Sequence, residues 1–202
     1  MKTKVYLIAS CLLFCSMSGC RNPLMERVLI NLYHIGDRGP GGGIIFYRSE
    51  KGFTDTYSGK THHFLEAAPV DQGSAAWAPT GSPAFVFVSG AVGTGIGTGR
   101  KNTASILNTT TDPAIETPAA FHCDDYAGGG KTDWFLPSKD ELNELYRRRS
   151  YFIFSSTLIH WSSSQHIDIS ENAWTQNFND GTQEGFMIAK YGSFSVRAIR
   201  SF

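Results

Sequence analysis

Cysteine is scarce where it would matter. Of the four in 202 residues, Cys11, Cys15 and Cys20 lie within the first twenty, and Cys123 stands alone after them. A disulfide within the rest of the chain is therefore excluded, as is any chemistry that needs a cysteine pair there. Charge of one sign is lacking too. The 18 basic and 18 acidic side chains balance to a formal net charge of zero, and the only basic run is Arg147–Arg149. Without a basic patch the chain has no electrostatic footprint for nucleic acid. No apolar run approaches the roughly 20 residues that a membrane-spanning helix needs. Glycine is plentiful, yet Gly36–Gly43 does not place it at every third position over any length, so a collagen helix is excluded. There is no repeat of fixed period. There is also no Gly-x-Ser-x-Gly elbow to present a serine nucleophile.

The N-terminus has its own pattern. Lys2 and Lys4 precede the apolar run Val5–Phe14, and Met17-Ser18-Gly19-Cys20 follows. Basic, apolar, then small residues before a cysteine resemble a bacterial lipoprotein leader. The expectation is a signal peptide over 1–19, a lipidated Cys20 with a tether over 20–35, and a single domain over 36–202. Acyl chains rather than a helix would then hold the protein at a membrane. Loss of Lys2 and Lys4 leaves acidic side chains in slight excess. A domain of this size buries roughly 70% of its unfolded surface and needs no disulfide to fold.

The strongest local signal is Trp134–Tyr146. Trp134-Phe135-Leu136 reads as a short strand that Pro137 ends, having no N–H to give. Ser138 with Glu141 three residues on is a capping box. Leu142, Leu145 and Tyr146 then share one helical face. Elsewhere, Ile44–Tyr47 and His63–Ala68 read as paired strands, with Ser49–Gly52 as a turn after the first. Phe85–Val88 reads as a short strand. Lys101–Leu107 reads as a helix, and Thr117-Pro118 opens another that turns Ala119, Ala120, Cys123 and Tyr126 inward before Gly128–Gly130 stops it. His160–Ser164, Asn172–Phe178, Gly185–Tyr191 and Ser195–Arg200 read as strands, with Asn179-Asp180-Gly181 as a hairpin turn. The fold class is α+β: small antiparallel sheets, two or three short helices and long Gly-rich loops. Gly93–Gly99 looks like a phosphate loop, but no Lys-Ser/Thr follows it, so tight backbone turns are the better reading.

The series Trp134-Phe-Leu-Pro-Ser-Lys-Asp-Glu-Leu, Trp161-Ser-Ser-Ser, Ala173-Trp174, Asn177-Phe178, Gly181 and Val196-Arg-Ala-Ile-Arg200 resembles the domain that ends the Legionella collagen-like protein. That is a bacterial extracytoplasmic family similar to C-type-lectin-like folds. The resemblance covers 134–202 well and 36–68 loosely. It implies a C-type-lectin-like domain in which the first and last strands pair, bringing Ile44–Tyr47 beside Ser195–Arg200. The formylglycine-generating enzymes share this kind of fold and the Leu-Pro turn, but their chemistry uses a cysteine pair near the C-terminal end, which this chain lacks.

The candidate sites follow from side-chain chemistry. A calcium site needs several carboxylates and other oxygens; Asp168, Asp180 and Glu184 are scattered, and the lectin signatures Glu-Pro-Asn and Trp-Asn-Asp are absent. His122–Asp125 on a helix point in different directions, and His62 and His63 on a strand face opposite sides. No metal and no cofactor are expected, and no enzyme activity. Trp161, Ser163, Gln165, His166, Trp174, Gln176 and Asn177 combine flat rings with amide and hydroxyl groups, the mixture that a glycan or protein surface requires. They are the expected ligand-binding residues, with Trp161 and Phe178 also candidates for the core. The reading is a non-catalytic binding domain on a cell-envelope lipoprotein, with a structural assembly protein and an uncharacterised enzyme as alternatives.

Overall fold

The computed structural model describes residues 30–154 and 158–202. The leader, Cys20 and most of the tether lie outside the described residues. The body is His34–Phe202. It is α+β, with a three-stranded antiparallel sheet, a five-stranded mixed sheet and a few short helices.

The first sheet is ordered β1 (Ile44–Thr54), β2 (Thr61–Ala67), β8 (Ile199–Ser201). The expected pairing of the first two strands holds, with Ile44 opposite Ala67 and Arg48 opposite Phe64. Ser49–Gly52 is not a turn, however. The ladder resumes at Phe53 opposite His62, so these residues bulge out of a longer strand. Gly52 supplies the left-handed φ of 76° that the bulge needs, and the His63 ring holds the Ser49 carbonyl at 2.9 Å. The true turn is Asp55–Lys60. The last strand pairs with β2, Leu65 opposite Ser201, and not with β1. This corrects the placement of Ile44–Tyr47 beside Ser195–Arg200, because β2 occupies the centre and leaves β1 at the edge.

The second sheet runs β3 (Ser74–Ala76), β7 (Ser193–Ser195), β4 (Ile159–Gln165), β5 (Ala173–Asn177), β6 (Gln183–Glu184). It is not purely antiparallel, since β4 and β7 run parallel at His160 and Ser195. The expected strand over Gly185–Tyr191 is mostly loop. Glu184 Oε1 accepts from the N–H groups of Gly185 and Phe186, which turns the chain away. Phe85–Val88 is also not a strand. Ser82 caps a single 3₁₀ turn, Pro83–Phe85, by accepting from Ala84 N–H, and the 84–86 carbonyls bond to Lys190 instead of a ladder.

The helices are α1 (Gly99–Leu107), α2 (Pro113–Glu116), α3 (Pro118–Asp124) and α4 (Lys139–Arg147). Ala119, Ala120 and Cys123 are buried from α3 as expected. The Trp134–Leu136 stretch makes a single bridge, Phe135 with Ile199, rather than a strand. It divides the interior by alternation. Trp134 and Leu136 enter one core with Trp77, Trp161 and Ile106, while Phe135 enters the other with Phe46, Leu65, Leu142 and Phe178.

The capping box forms as read: Ser138 N–H donates to Glu141 Oε2 at 2.7 Å and Glu141 N–H to Ser138 Oγ at 3.4 Å. Glu141 does more, because its other oxygen accepts from Gly97 N–H at 2.8 Å. The glycine-rich loop is thus a seat for the start of α4. A Cβ at Gly99 would lie 2.2 Å from the Glu141 carboxylate. Burial raises the Glu141 carboxyl from 4.5 to about 7, against the opposing N–H bonds. Below pH 4.5 both folded and unfolded chains carry this proton; between 4.5 and about 7 only the folded chain keeps it. Stability from this group should therefore fall by about 3 kcal/mol as pH rises through that window. Urea unfolding at about pH 4.5 and pH 7.5 should show this loss in the wild type, and Glu141→Gln should remove this part of the slope.

Candidate functional site

The expected ligand residues do not form a surface. Trp161, Ser163, Gln165, His166 and Gln176 are all buried. β4 is the middle strand of its sheet, and both its faces are covered. His160 packs on Phe154 and Phe178, and Trp161 on Phe194 from the opposite side. The polar members are used internally. Trp161 Nε1–H donates to Ala75 O at 2.9 Å, and Ser163 Oγ accepts from Asn102 Nδ2 at 3.3 Å. His166 Nδ1 accepts from the N–H groups of Asp168 and Ile169. Gln165 Oε1 accepts from Val88 N–H, and Gln176 Nε2 donates to Gly181 O. Only Trp174 and Asn177 reach solvent, each half-buried. Trp174 lies under the Lys139 ammonium at 3.6 Å. Asn177 is spent on its hairpin turn, bonding to Asn179 and Asp180.

The structure places convergent polar groups elsewhere, in a cleft of about 220 Å³. Its walls are Tyr57, Arg100, Asp124, Thr132 and Asp133, with Trp134 and Phe135 behind them. Tyr57 sits in the turn after β1, which the buried Asp55 carboxylate builds by accepting from Tyr57 N–H at 2.9 Å and Ser58 Oγ at 2.7 Å. The Tyr57 ring is 57% exposed. Arg100, in the first turn of α1, lies 5.4 Å over that ring and 3.6 Å from Asp55 Oδ2. Asp133 pairs with Arg200, whose other arm holds buried Glu66 at 2.9 Å.

Asp124 ends α3. Partial burial raises its carboxyl above the ordinary range, Arg100 opposing the shift. It makes no hydrogen bond or ion pair among the described residues. The cleft thus offers an exposed aromatic face, one guanidinium, two carboxylates and the Thr132 hydroxyl, whereas Thr103 is buried behind it with its hydroxyl donating to Gly99 O and accepting from Leu136 N–H. Arg100 pairs with Asp55 and Arg200 with Asp133, while Asp124 feels Arg100 only from beyond ion-pair distance. Such a lining can hold a small, hydroxyl-rich molecule by donors, acceptors and one flat ring.

Sequence reading missed this cleft because its parts come from four separate segments. One signal was present: Asp55-Thr-Tyr57-Ser58 is an Asx-type turn that lifts an aromatic residue outward. Among the described residues no group of three His, Cys, Asp or Glu side chains could hold a metal ion, and no helix is long and apolar enough to cross a membrane.

No family model and no curated protein matches the chain. Among solved structures it is similar to a fimbrial protein from Bacteroides ovatus, at 15% identity and a TM-score of 0.49 over 73% of this chain. The match spans 37% of that protein's chain.

Proposed function

We propose that the chain is a cell-envelope lipoprotein, exported and lipid-anchored at Cys20, whose body binds a glycan without turning it over. The leader pattern supports the anchor. The Trp134–Leu142 series and the two-sheet body with long glycine-rich loops support kinship with the Legionella collagen-like domain family and its C-type-lectin-like fold. The observation that carries the binding reading is the cleft, where the exposed Tyr57 ring stands beside Arg100 and Asp124. Sugars present alternating apolar C–H faces and hydroxyls, which match a ring flanked by charged donors and acceptors.

Titration with a panel of neutral and amino sugars, followed by NMR shifts of assigned amides, tests it. Shifts should centre on residues 55–58, 100–104, 124 and 132–135. Tyr57→Ala should weaken binding about tenfold, near 1.4 kcal/mol. A panel without any response, or with responses only at distant residues, defeats the reading. A second reading is assembly with other envelope proteins or further copies. It draws on the exposed Val86, Phe87, Ile167, Phe186, Met187 and Tyr191, between 48% and 86% accessible on loops flanking the second sheet. Sedimentation showing concentration-dependent oligomers and no sugar response would favour it.

A further inference from the structure

The arginine run at the end of α4 is the chain's only basic run, and the cleft makes no use of it. Arg147, Arg148 and Arg149 are all exposed. Arg147 pairs with Glu144 at 3.0 Å, and Arg149 stacks on the Tyr146 ring at 4.2 Å. The Arg148 side chain makes no ion pair or hydrogen bond among the described residues. The chain then turns at once. Tyr151 N–H donates to Arg148 O at 3.0 Å, and Phe152 N–H to Arg149 O at 3.1 Å. Phe152 is buried, and its two neighbours face outward: Tyr151 is 49% exposed and Ile153 is 80% exposed.

This display is held in place from behind. Arg197 Nη2 donates to Ile153 O at 2.7 Å, and its Nη1 donates to Ala68 O and Pro69 O at 3.2 Å each. One buried guanidinium thus pins Ile153 beside the 68–70 segment, where Val70 is 57% exposed. Val70, Ile153 and Phe154 line an open pocket of about 300 Å³. Three cations and three outward apolar side chains are therefore neighbours on one rigid stretch of surface.

The place where the chain joins the body identifies what this surface meets. The body begins at His34. Gly36 lies so close to the Tyr151 ring that a Cβ there would be 2.6 Å from Cε1. The chain therefore enters the body beside the patch. His34 is 14 positions after Cys20, and a segment of that length spans at most about 50 Å when fully extended. A bilayer holding Cys20 stays within that reach of the patch.

We propose, resting on the lipid anchor argued above, that this patch is a membrane-apposition surface, which lays the body against the anionic phospholipid headgroups of the bilayer that holds the anchor. Guanidinium groups match lipid phosphates in two-pronged, charge-assisted hydrogen bonds. The Tyr151 ring suits the headgroup level, where amphipathic aromatic residues collect. Ile153 and Val70 reach toward the acyl boundary. Three arginines are too few to hold a free protein on a membrane. An acyl anchor changes that, because stable attachment needs two signals and the second contact becomes intramolecular, at the high effective concentration that a short tether sets.

Hydrogen–deuterium exchange of the full chain on vesicles tests this. The protein is reconstituted at low salt into vesicles of phosphatidylcholine alone and of phosphatidylcholine mixed with phosphatidylglycerol. Flotation reports whether the chain is anchored. In an anchored chain, exchange over 147–154 should be about tenfold slower on the anionic vesicles than on the neutral ones, and the difference should shrink in high salt. Arg148→Glu and Ile153→Ser should each remove most of that protection, and both side chains are exposed, so the fold is kept. An anchored chain with equal exchange on the two kinds of vesicle defeats the proposal and leaves the anchor standing. A chain that fails to float refutes the anchor instead. Mixed with the same vesicles from outside, it should still bind the anionic ones more tightly, and equal binding to both defeats the proposal as well. Protection of 147–154 that grows with protein concentration in the absence of vesicles gives the surface to a second copy and overturns it too.

Discussion

Asp71→Ala should destabilise the protein by about 3–5 kcal/mol, the cost of stranding a buried cation. The Asp71 side chain is 5% exposed, and those of its partners Arg197 and His160 are fully buried. One oxygen, Oδ1, accepts from Arg197 Nε at 2.7 Å, from Arg197 Nη2 at 2.6 Å and from the His160 ring at 2.9 Å. The other guanidinium donors go to backbone carbonyls of Ala68, Pro69 and Ile153. The Phe154 ring lies 4.6 Å from the guanidinium carbon. Arg197 is thus pinned on every side, and its charge has nowhere to relax when the carboxylate goes. Two further variants separate this account from simple loss of contacts. Arg197→Met should cost less than Asp71→Ala, because an apolar side chain of similar length can fill the site. Adding Arg197→Met to Asp71→Ala should recover about 2 kcal/mol, since the pair is then removed together. Urea midpoints for the three variants check all of this. A double variant less stable than Asp71→Ala alone would contradict it.

That cluster also shows what could be read from the chain and what could not. Val196-Arg197-Ala198 has the alternation of a half-buried strand, and Ser195–Arg200 reads as one from the sequence. In the structure Val196, Arg197 and Ala198 are all buried, and the segment separates β7 from β8. The buried arginine depends on Asp71, far away in sequence, and periodicity carries no information about such a partner. Local signals did better. The Ser138–Glu141 capping box, the Thr117-Pro118 helix start and the pairing of β1 with β2 each rest on residues close in sequence or on simple alternation. The ligand set failed for a different reason. Trp161, Ser163 and Gln165 have the composition of a recognition surface, but a central strand with both faces covered uses that composition to satisfy its own interior. The cleft at Tyr57 and Arg100 required the tertiary fold before it existed at all.

The glycine loop before β1 gives the second large effect, and it links stability to the cleft. The reason for so much glycine in Gly39-Pro40-Gly41-Gly42-Gly43 is Glu66. This carboxylate is fully buried on β2. It accepts from Gly41 N–H and Gly43 N–H at 2.9 Å each, and from Arg200 Nη1 at 2.9 Å. The loop wraps the carboxylate so closely that side chains do not fit. A Cβ at Gly39 would lie 2.5 Å from Glu66 Oε2, and one at Gly43 2.6 Å from the Ala67 carbonyl. Glu66→Ala should cost about 3–5 kcal/mol by leaving two backbone donors and part of a guanidinium unsatisfied. Glu66→Gln should also destabilise, though by less, because its amide keeps one acceptor and turns a donor toward the remaining N–H. Arg200 joins Glu66 to Asp133 on the cleft wall, so the damage should spread. In Glu66→Gln, sugar binding at the cleft should weaken even where the domain remains folded, while Asp71→Asn, on the other charge cluster, should leave binding by the folded fraction unchanged. Parallel urea unfolding and NMR titration of the two variants test the link, and equal effects on binding would refute it.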